Sequence, residues 1–256
     1  MQTVESQQSA FEEIYRSDKS SKFRFHIVTD PLIRYIRDRR LNVAMKYLSE
    51  RYPAEELKKW SVLIVCGGVG GEGIYFQRKG IEDVTISDIS LNSLKIAESF
   101  SPTFKTIQLN AEAIDLPEES FDLVVVQDGL HHLPRPVLGF TEMLRVASKA
   151  IVVIEPYNSA VGNLIGTEWE KEGEFINYVF RWDRKLVNQV TKSYLLKKHG
   201  VIKVFRLWDH GGVIKKIVHK FPASFRLRLA KLIYATLSIF DGLGNNTVVV
   251  VDKHGK

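Results

Sequence analysis

Short runs of β-branched and other apolar residues alternate along this chain with longer amphipathic segments of helical length. The runs at 61–66 (SVLIVC), 84–88 (VTISD), 104–108 (FKTIQ), 121–127 (FDLVVVQ) and 150–155 (AIVVIE) read as strands. Strands separated by helix-length segments imply a parallel sheet covered on both faces. Ser90 is placed to cap a helix over 91–99, because its hydroxyl can accept an orphan backbone N–H. Pro136 suits the first turn of a helix over 136–147, where its missing N–H costs nothing. Asp30-Pro31 is a start signal for a helix from about 30 to 50.

Beyond the fifth strand the alternation loosens. An acidic and aromatic stretch, EWEKEGEFINYVFRW, fills much of 157–183. A helix over 184–199 is expected to stop at Gly200, followed by a strand at 201–208, a basic helical segment and a closing strand at 247–251. The pattern divides the chain into a helical N-terminal extension, 1–60, and an α/β domain, 61–256, with insertions at about 157–183 and 212–244. The greasiest stretch, Leu229 to Phe240, contains Lys231 and is shorter than the ~20 residues a membrane span needs. It reads as an amphipathic helix.

Composition narrows the setting. The 256 residues suit one sizeable domain. A single cysteine, Cys66, excludes an internal disulfide and suits a reducing compartment. The first residues, MQTVESQQSAFEEIYR, lack the apolar core of a signal peptide, so the expected location is cytoplasmic. The net charge of +6 is unevenly spread: between Lys192 and Lys231 the only acid is Asp209, amid a run of lysines and arginines. That segment is either a solvated surface or one that meets phosphates on a small molecule, an anionic membrane or RNA.

The glycines in VLIVCGGVGGEGIYF (62–76) sit where a strand should turn into a helix, and Gly68, Gly70 and Gly73 satisfy G-x-G-x-x-G. Such a turn lets backbone approach a ligand closely and presents free N–H groups at a helix N-terminus. Asp88, twenty residues on, can accept both hydroxyls of a ribose. By itself this is a dinucleotide fingerprint, and Tyr194 with Lys198 forms a Y-x-x-x-K pair as an NAD-dependent oxidoreductase would need. No suitable serine precedes that pair. His, Cys, Asp and Glu show no metal-ligand spacing along the chain.

The segments that follow favour another cofactor. LNAEAIDLPEESFDLVVVQDGLHHLPRP (109–136) and FTEMLRVASKAIVVIEP (140–156) resemble the corresponding stretches of class I S-adenosylmethionine-dependent methyltransferases. The resemblance covers about 60–156 and implies a Rossmann-like, doubly wound seven-stranded sheet of order 3-2-1-4-5-7-6, last strand antiparallel. It implies that Cys66, Gly67, Gly68 and Gly70 cradle S-adenosyl-L-methionine. Asp88 and Ile89 then face its ribose, Asn110 and Ala111 its adenine, and Gln127 and Asp128 its border near the reacting methyl. Two positions depart from the family pattern. Ile64 stands where an acid usually helps hold the methionine ammonium, and Cys66 replaces the first glycine, so another group must substitute or the chain is a degenerate, non-catalytic member.

Methyl transfer is an in-line displacement and needs a general base only where the acceptor must lose a proton. His131, His132 and Glu155 lie at the carboxyl ends of strands four and five, where open α/β sheets bind ligands, and are the candidates for catalytic groups. Glu155 is placed either to face the acceptor or to pack against a loop as a structural carboxylate. Tyr15 and Arg16 belong to a helix that in this family folds over the cofactor, although both also read as plain surface. A small-molecule acceptor is expected, and a sugar or phosphate-bearing metabolite would suit the basic segment. Nucleic acid is disfavoured, since no single-strand stacking platform accompanies that segment.

Overall fold

Alternate residues of each central strand feed two separate cores. Ile64, Ile86, Val125, Val152 and Val250 point to one face of the sheet, while Leu63, Val124, Val126, Val153 and Val249 point to the other. Each such fully buried side chain contributes about 1.5–3 kcal/mol against exposure, which is why the strand sequences run apolar almost without interruption. A computed structural model describes residues 3–16, 30–172, 175–196, 200–209 and 211–254.

The strands are β1 (Val62–Ile64), β2 (Val84–Asp88), β3 (Lys105–Gln108), β4 (Phe121–Gln127), β5 (Ala147–Pro156), β6 (Trp169–Glu172), β7 (Phe175–Tyr178), β8 (Val201–Leu207) and β9 (Asn246–Asp252). Seven form one sheet of order β3-β2-β1-β4-β5-β9-β8, with β9 antiparallel to both neighbours. This is the expected order, renumbered because β6 and β7 form a separate two-stranded hairpin within the 157–183 stretch.

The helices are α1 (Val4–Arg16), α2 (Pro31–Ser49), α3 (Ala54–Leu57), α4 (Gly71–Arg78), α5 (Leu91–Phe100), α6 (Pro136–Val146), α7 (Ala160–Ile165), α8 (Arg184–Leu195), α9 (Gly211–Val218) and α10 (Ala223–Ser238). The local start signals act as expected. Asp30 accepts from the N–H groups of Leu32 and Ile33, Ser90 accepts from that of Ser93, and Pro136 occupies the first turn of α6. α2 and α4 cover one face of the sheet, while α6 and α8 cover the other with Trp182 between them.

The described part of α8 ends at Leu195, with Leu196 at a positive φ of 53°, and residues 197–199 lie outside the described residues. Gly200 answers to the approach of β9: a Cβ there would lie 1.8 Å from the Asp252 carbonyl oxygen, so only glycine lets the chain pass β9.

Candidate functional site

At the carboxyl end of β1 the backbone turns through three left-handed residues, Cys66 (φ 52°), Gly68 (φ 50°) and Gly70 (φ 83°). A side chain at Gly68 would meet the Tyr15 hydroxyl at 2.9 Å, whereas one at Gly70 would meet Phe104 and Ala97. Gly68 therefore faces a ligand space and Gly70 faces packing at the start of α4. Cys66 holds its conformation at a cost of about 1–2 kcal/mol that glycine would escape. Burial, with Asp88 and Glu155 nearby, pushes its thiol well above the usual range, so it stays protonated at neutral pH.

The loop walls a cavity of about 250 Å³ that also touches Cys66, Gly67, Asp88, Ile89, Asn110, Ala111, Gln127 and Asp128. Every expected cofactor residue except Gly70 thus reaches one space. Asp88 is buried and fixes the loop, its two oxygens accepting from the N–H groups of Gly68 and Ser90 at 2.9 Å each. Burial raises its carboxyl above the ordinary aspartate range, only partly offset by those N–H donors. The Asn110 carbonyl oxygen accepts from the Glu112 N–H at 2.9 Å, closing an Asx turn.

Helix α1 roofs this cavity. Gln7, Phe11, Ile14 and Tyr15 face into it. The Gln7 amide donates to the His132 carbonyl at 2.9 Å, and Phe11 packs on the rings of His132 and Phe175. Glu12 ties the roof down by accepting from the Leu91 and Asn92 N–H groups and the Ser90 hydroxyl, at 2.7, 3.1 and 3.0 Å. A carboxylate there satisfies orphan donors at the N-terminus of α5. Of the two α1 residues singled out in the sequence, Tyr15 lines the cavity. Arg16 is a surface side chain paired with Glu13.

A second cavity of about 590 Å³ adjoins the first through Asp128 and His132, which line both. His131 donates from Nδ1 to Glu155 at 2.6 Å, and its Nε2 lies 3.4 Å from a Glu170 oxygen. Despite burial, Glu155 and Glu170 push the imidazole up to about 10. His131 lines the second cavity, and a ring held in its charged form can only donate, which disfavours the base role expected of it. Glu155 follows the loop-packing one of its two readings. It is fully buried, accepts from the Gly129 and Leu130 N–H groups, and lines neither cavity. It positions the loop after β4 and the His131 ring rather than facing an acceptor. His132 stands at the junction, its Nδ1 3.4 Å from the Asn177 side-chain oxygen.

No spacing in the sequence suggested a metal site, yet the fold brings ligand atoms of His131, His132 and Glu170 within 4.8 Å of one another. Other contributors lack a local signature too. Arg40 on α2 is buried and bridges Asp128 (2.8 and 2.5 Å) and Asp209 (3.0 Å), holding Asp128 ionised. Glu72, in the first turn of α4, is buried at the cavity wall and accepts from the Gln127 amide at 3.3 Å. It supplies, one turn into α4, a carboxylate that position 64 lacks; Ile64 is committed to the core.

Tyr194 lines neither cavity and lies near Glu118, Glu142 and Arg145 on the outer face, and Lys198 falls outside the described residues. Among the described residues, therefore, the tyrosine of the pair that the oxidoreductase reading relied on does not reach the site.

Comparison with known proteins agrees. Residues 63–153 match the family model described as a methyltransferase domain. A demethylmenaquinone methyltransferase of Renibacterium salmoninarum is 34% identical over 85 residues, 33% of this chain and 35% of that protein, so the match spans about a third of the relative's length. Among solved structures, an S-adenosylmethionine-dependent methyltransferase of Thermotoga maritima superposes with a TM-score of 0.59 at 14% identity, covering 95% of this chain and 99% of that one. A second, from Mesorhizobium loti, gives 0.53 at 15% identity over 81% and 96%. The [4+2]-cyclase SpnF gives 0.53 at 14% over 83% and 81%, so the fold by itself does not fix the reaction.

Proposed function

We propose that this chain, whose residues 63–153 match a methyltransferase-domain model, is a class I methyltransferase that transfers a methyl group from S-adenosylmethionine to a small-molecule acceptor held in the second cavity. The observation that carries the reading is the pair of cavities meeting at Asp128 and His132, one with a nucleoside-type wall and the other open for a second reactant.

The first cavity's residues fit the cofactor. Asp88 offers a carboxylate for ribose hydroxyls, and Asn110 with Ala111 borders a flat base. The buried carbonyl oxygens of Gln7 and Gln127 have no partner among the described residues, as acceptors facing a ligand's N–H groups would. Glu72 and Asp128 provide negative charge for the amino-acid end in place of position 64. When bound, S-adenosylmethionine supplies a methyl group activated on a sulfonium. The protein's part is to align and dehydrate. α1 covers the cavity, Arg40 and Asp209 fix Asp128, and His131 with Glu155 fixes the loop that carries His132. His132 is the one histidine at the junction able to orient an acceptor or take its proton.

The acceptor cavity is lined by Asp128, Glu170 and Asp209, the amides of Asn245 and Asn246, and Trp169. Such walls suit hydroxyl or amine groups, with an aromatic face for a sugar ring. Arg40 answers Asp128 and Asp209, His131 lies against Glu170, and Lys171 is also on the wall, so the lining is polar with its charges largely paired.

Calorimetry with S-adenosylmethionine and S-adenosylhomocysteine, followed by a homocysteine-release screen over sugars and amines, tests the proposal. Binding of both and turnover of at least one acceptor is expected, with His132→Ala lowering turnover by roughly 10²-fold. No binding of either compound would remove the enzyme reading.

A further inference from the structure

We infer that the α9–α10 hairpin is a docking surface for an anionic lipid bilayer. From Gly211 to Phe240 the sequence holds no aspartate or glutamate, but carries Lys215, Lys216, Lys220, Arg226, Arg228 and Lys231. The inner side of the hairpin is accounted for: Ile214, Val218, Ala230 and Tyr234 pack on Leu32 and Ile36 of α2. The outer side is not. Phe225, Leu232 and Ile239 recur at seven-residue spacing on and just past α10 and are 46%, 63% and 76% exposed, and Val213 and Ile217 repeat the pattern on α9.

Exposed large apolar side chains set among cations, without an acid between them, are what an interfacial helix presents to a bilayer. Hydrocarbon takes the apolar stripe and lipid headgroups take the charge. No helix among the described residues is long and apolar enough to cross a membrane, so the hairpin would lie on the surface rather than span it. Charge argues against a second copy of this chain as the occupant, because two such faces would set six cations against six. RNA asks for a row of aromatic platforms on which bases stack, whereas four of the stripe's five side chains, Val213, Ile217, Leu232 and Ile239, are aliphatic. The hairpin's two roots, Asp209 and Asn245, also line the second cavity. On the acceptor reading given above, docking would bring the acceptor's entrance to the membrane surface.

The test is co-sedimentation of the full chain with vesicles of phosphatidylcholine alone and of phosphatidylcholine with 30% phosphatidylglycerol. Binding to the anionic vesicles, little to the neutral ones, and release as salt rises is expected. Leu232→Glu with Ile239→Glu, and separately Lys216→Glu with Lys220→Glu, should each lower partitioning on the order of ten-fold or more. All four side chains are exposed, so melting temperature and S-adenosylmethionine calorimetry should stay unchanged and report intact variants. No binding to anionic vesicles, binding that ignores both double substitutions, or self-association or RNA binding through this face without vesicle binding would each overturn the inference. None of these outcomes bears on methyl transfer, which the calorimetry reads separately.

Discussion

Asp88 accepts two backbone N–H bonds inside a buried loop, and its carboxyl is nevertheless raised because the cost of burying charge outweighs them. It must be ionised to accept ribose hydroxyls. Cofactor affinity should therefore be full above the raised pKa and begin to fall, on acidification, at a higher pH than an exposed aspartate would cause; calorimetry across pH 4–7 checks this. The pKa of His131 is also raised, but here the rise favours the charged form. Its pKa of about 10 in the fold lies above the ~6.5 of an unfolded histidine. The stability it confers is complete below that lower value and is lost as pH rises toward 10. Melting temperature should fall over that window, and His131→Gln should flatten the dependence. The Cys66 thiol is held up by burial and neighbouring carboxylates, so the folded chain should resist iodoacetamide at pH 7.5 while the urea-unfolded chain is alkylated fully.

At the scale of elements, α1 shows what a sequence displays and what it hides. Its period is helical and FEEIYR was singled out, but roofing a pocket depends on long-range bonds from Glu12 to α5 and from Gln7 to His132. Nothing local announces those. Glu12→Ala removes the carboxylate that satisfies the first N–H groups of α5, which should cost about 0.5–2 kcal/mol of stability. It should also speed cofactor release measured by stopped flow, with a smaller effect on the association rate. The glycine turn and Asp88 at the end of β2 were legible from local spacing, whereas Asn110 and Ala111 were singled out only through the family resemblance. The two readings of Glu155 could not be separated in the sequence, because an end-of-strand position that can face a ligand can also close a loop, as it does over Gly129 and Leu130. The described part of α8 ends at Leu195, residues 197–199 lie outside the described residues, and Gly200 answers to the approach of β9.

Across the whole molecule, the seven-stranded sheet and its order followed from strand and helix alternation together with the family resemblance. The second cavity did not follow. It is assembled from the loop after β4, the β6–β7 hairpin, and residues at either root of the α9–α10 hairpin, brought together only by the closed fold. Arg40, contributed by a helix well before the domain's first strand, joins Asp128 to Asp209 and so ties the two cavities into one unit. Among the described residues no lysine or arginine of 192–231 lines the second cavity, so nothing there supports the role in holding a phosphorylated acceptor expected of the basic segment. Its exposed apolar companions suit a surface instead. The central claim is that the β1 turn and Asp88 hold S-adenosylmethionine, and calorimetry of the wild type against Asp88→Asn tests it most directly. The wild type should bind, and the variant, still folded by melting temperature, should bind about 10- to 100-fold more weakly through loss of charge-assisted bonds. Equal affinity in the two proteins, or no heat from either, would contradict the account.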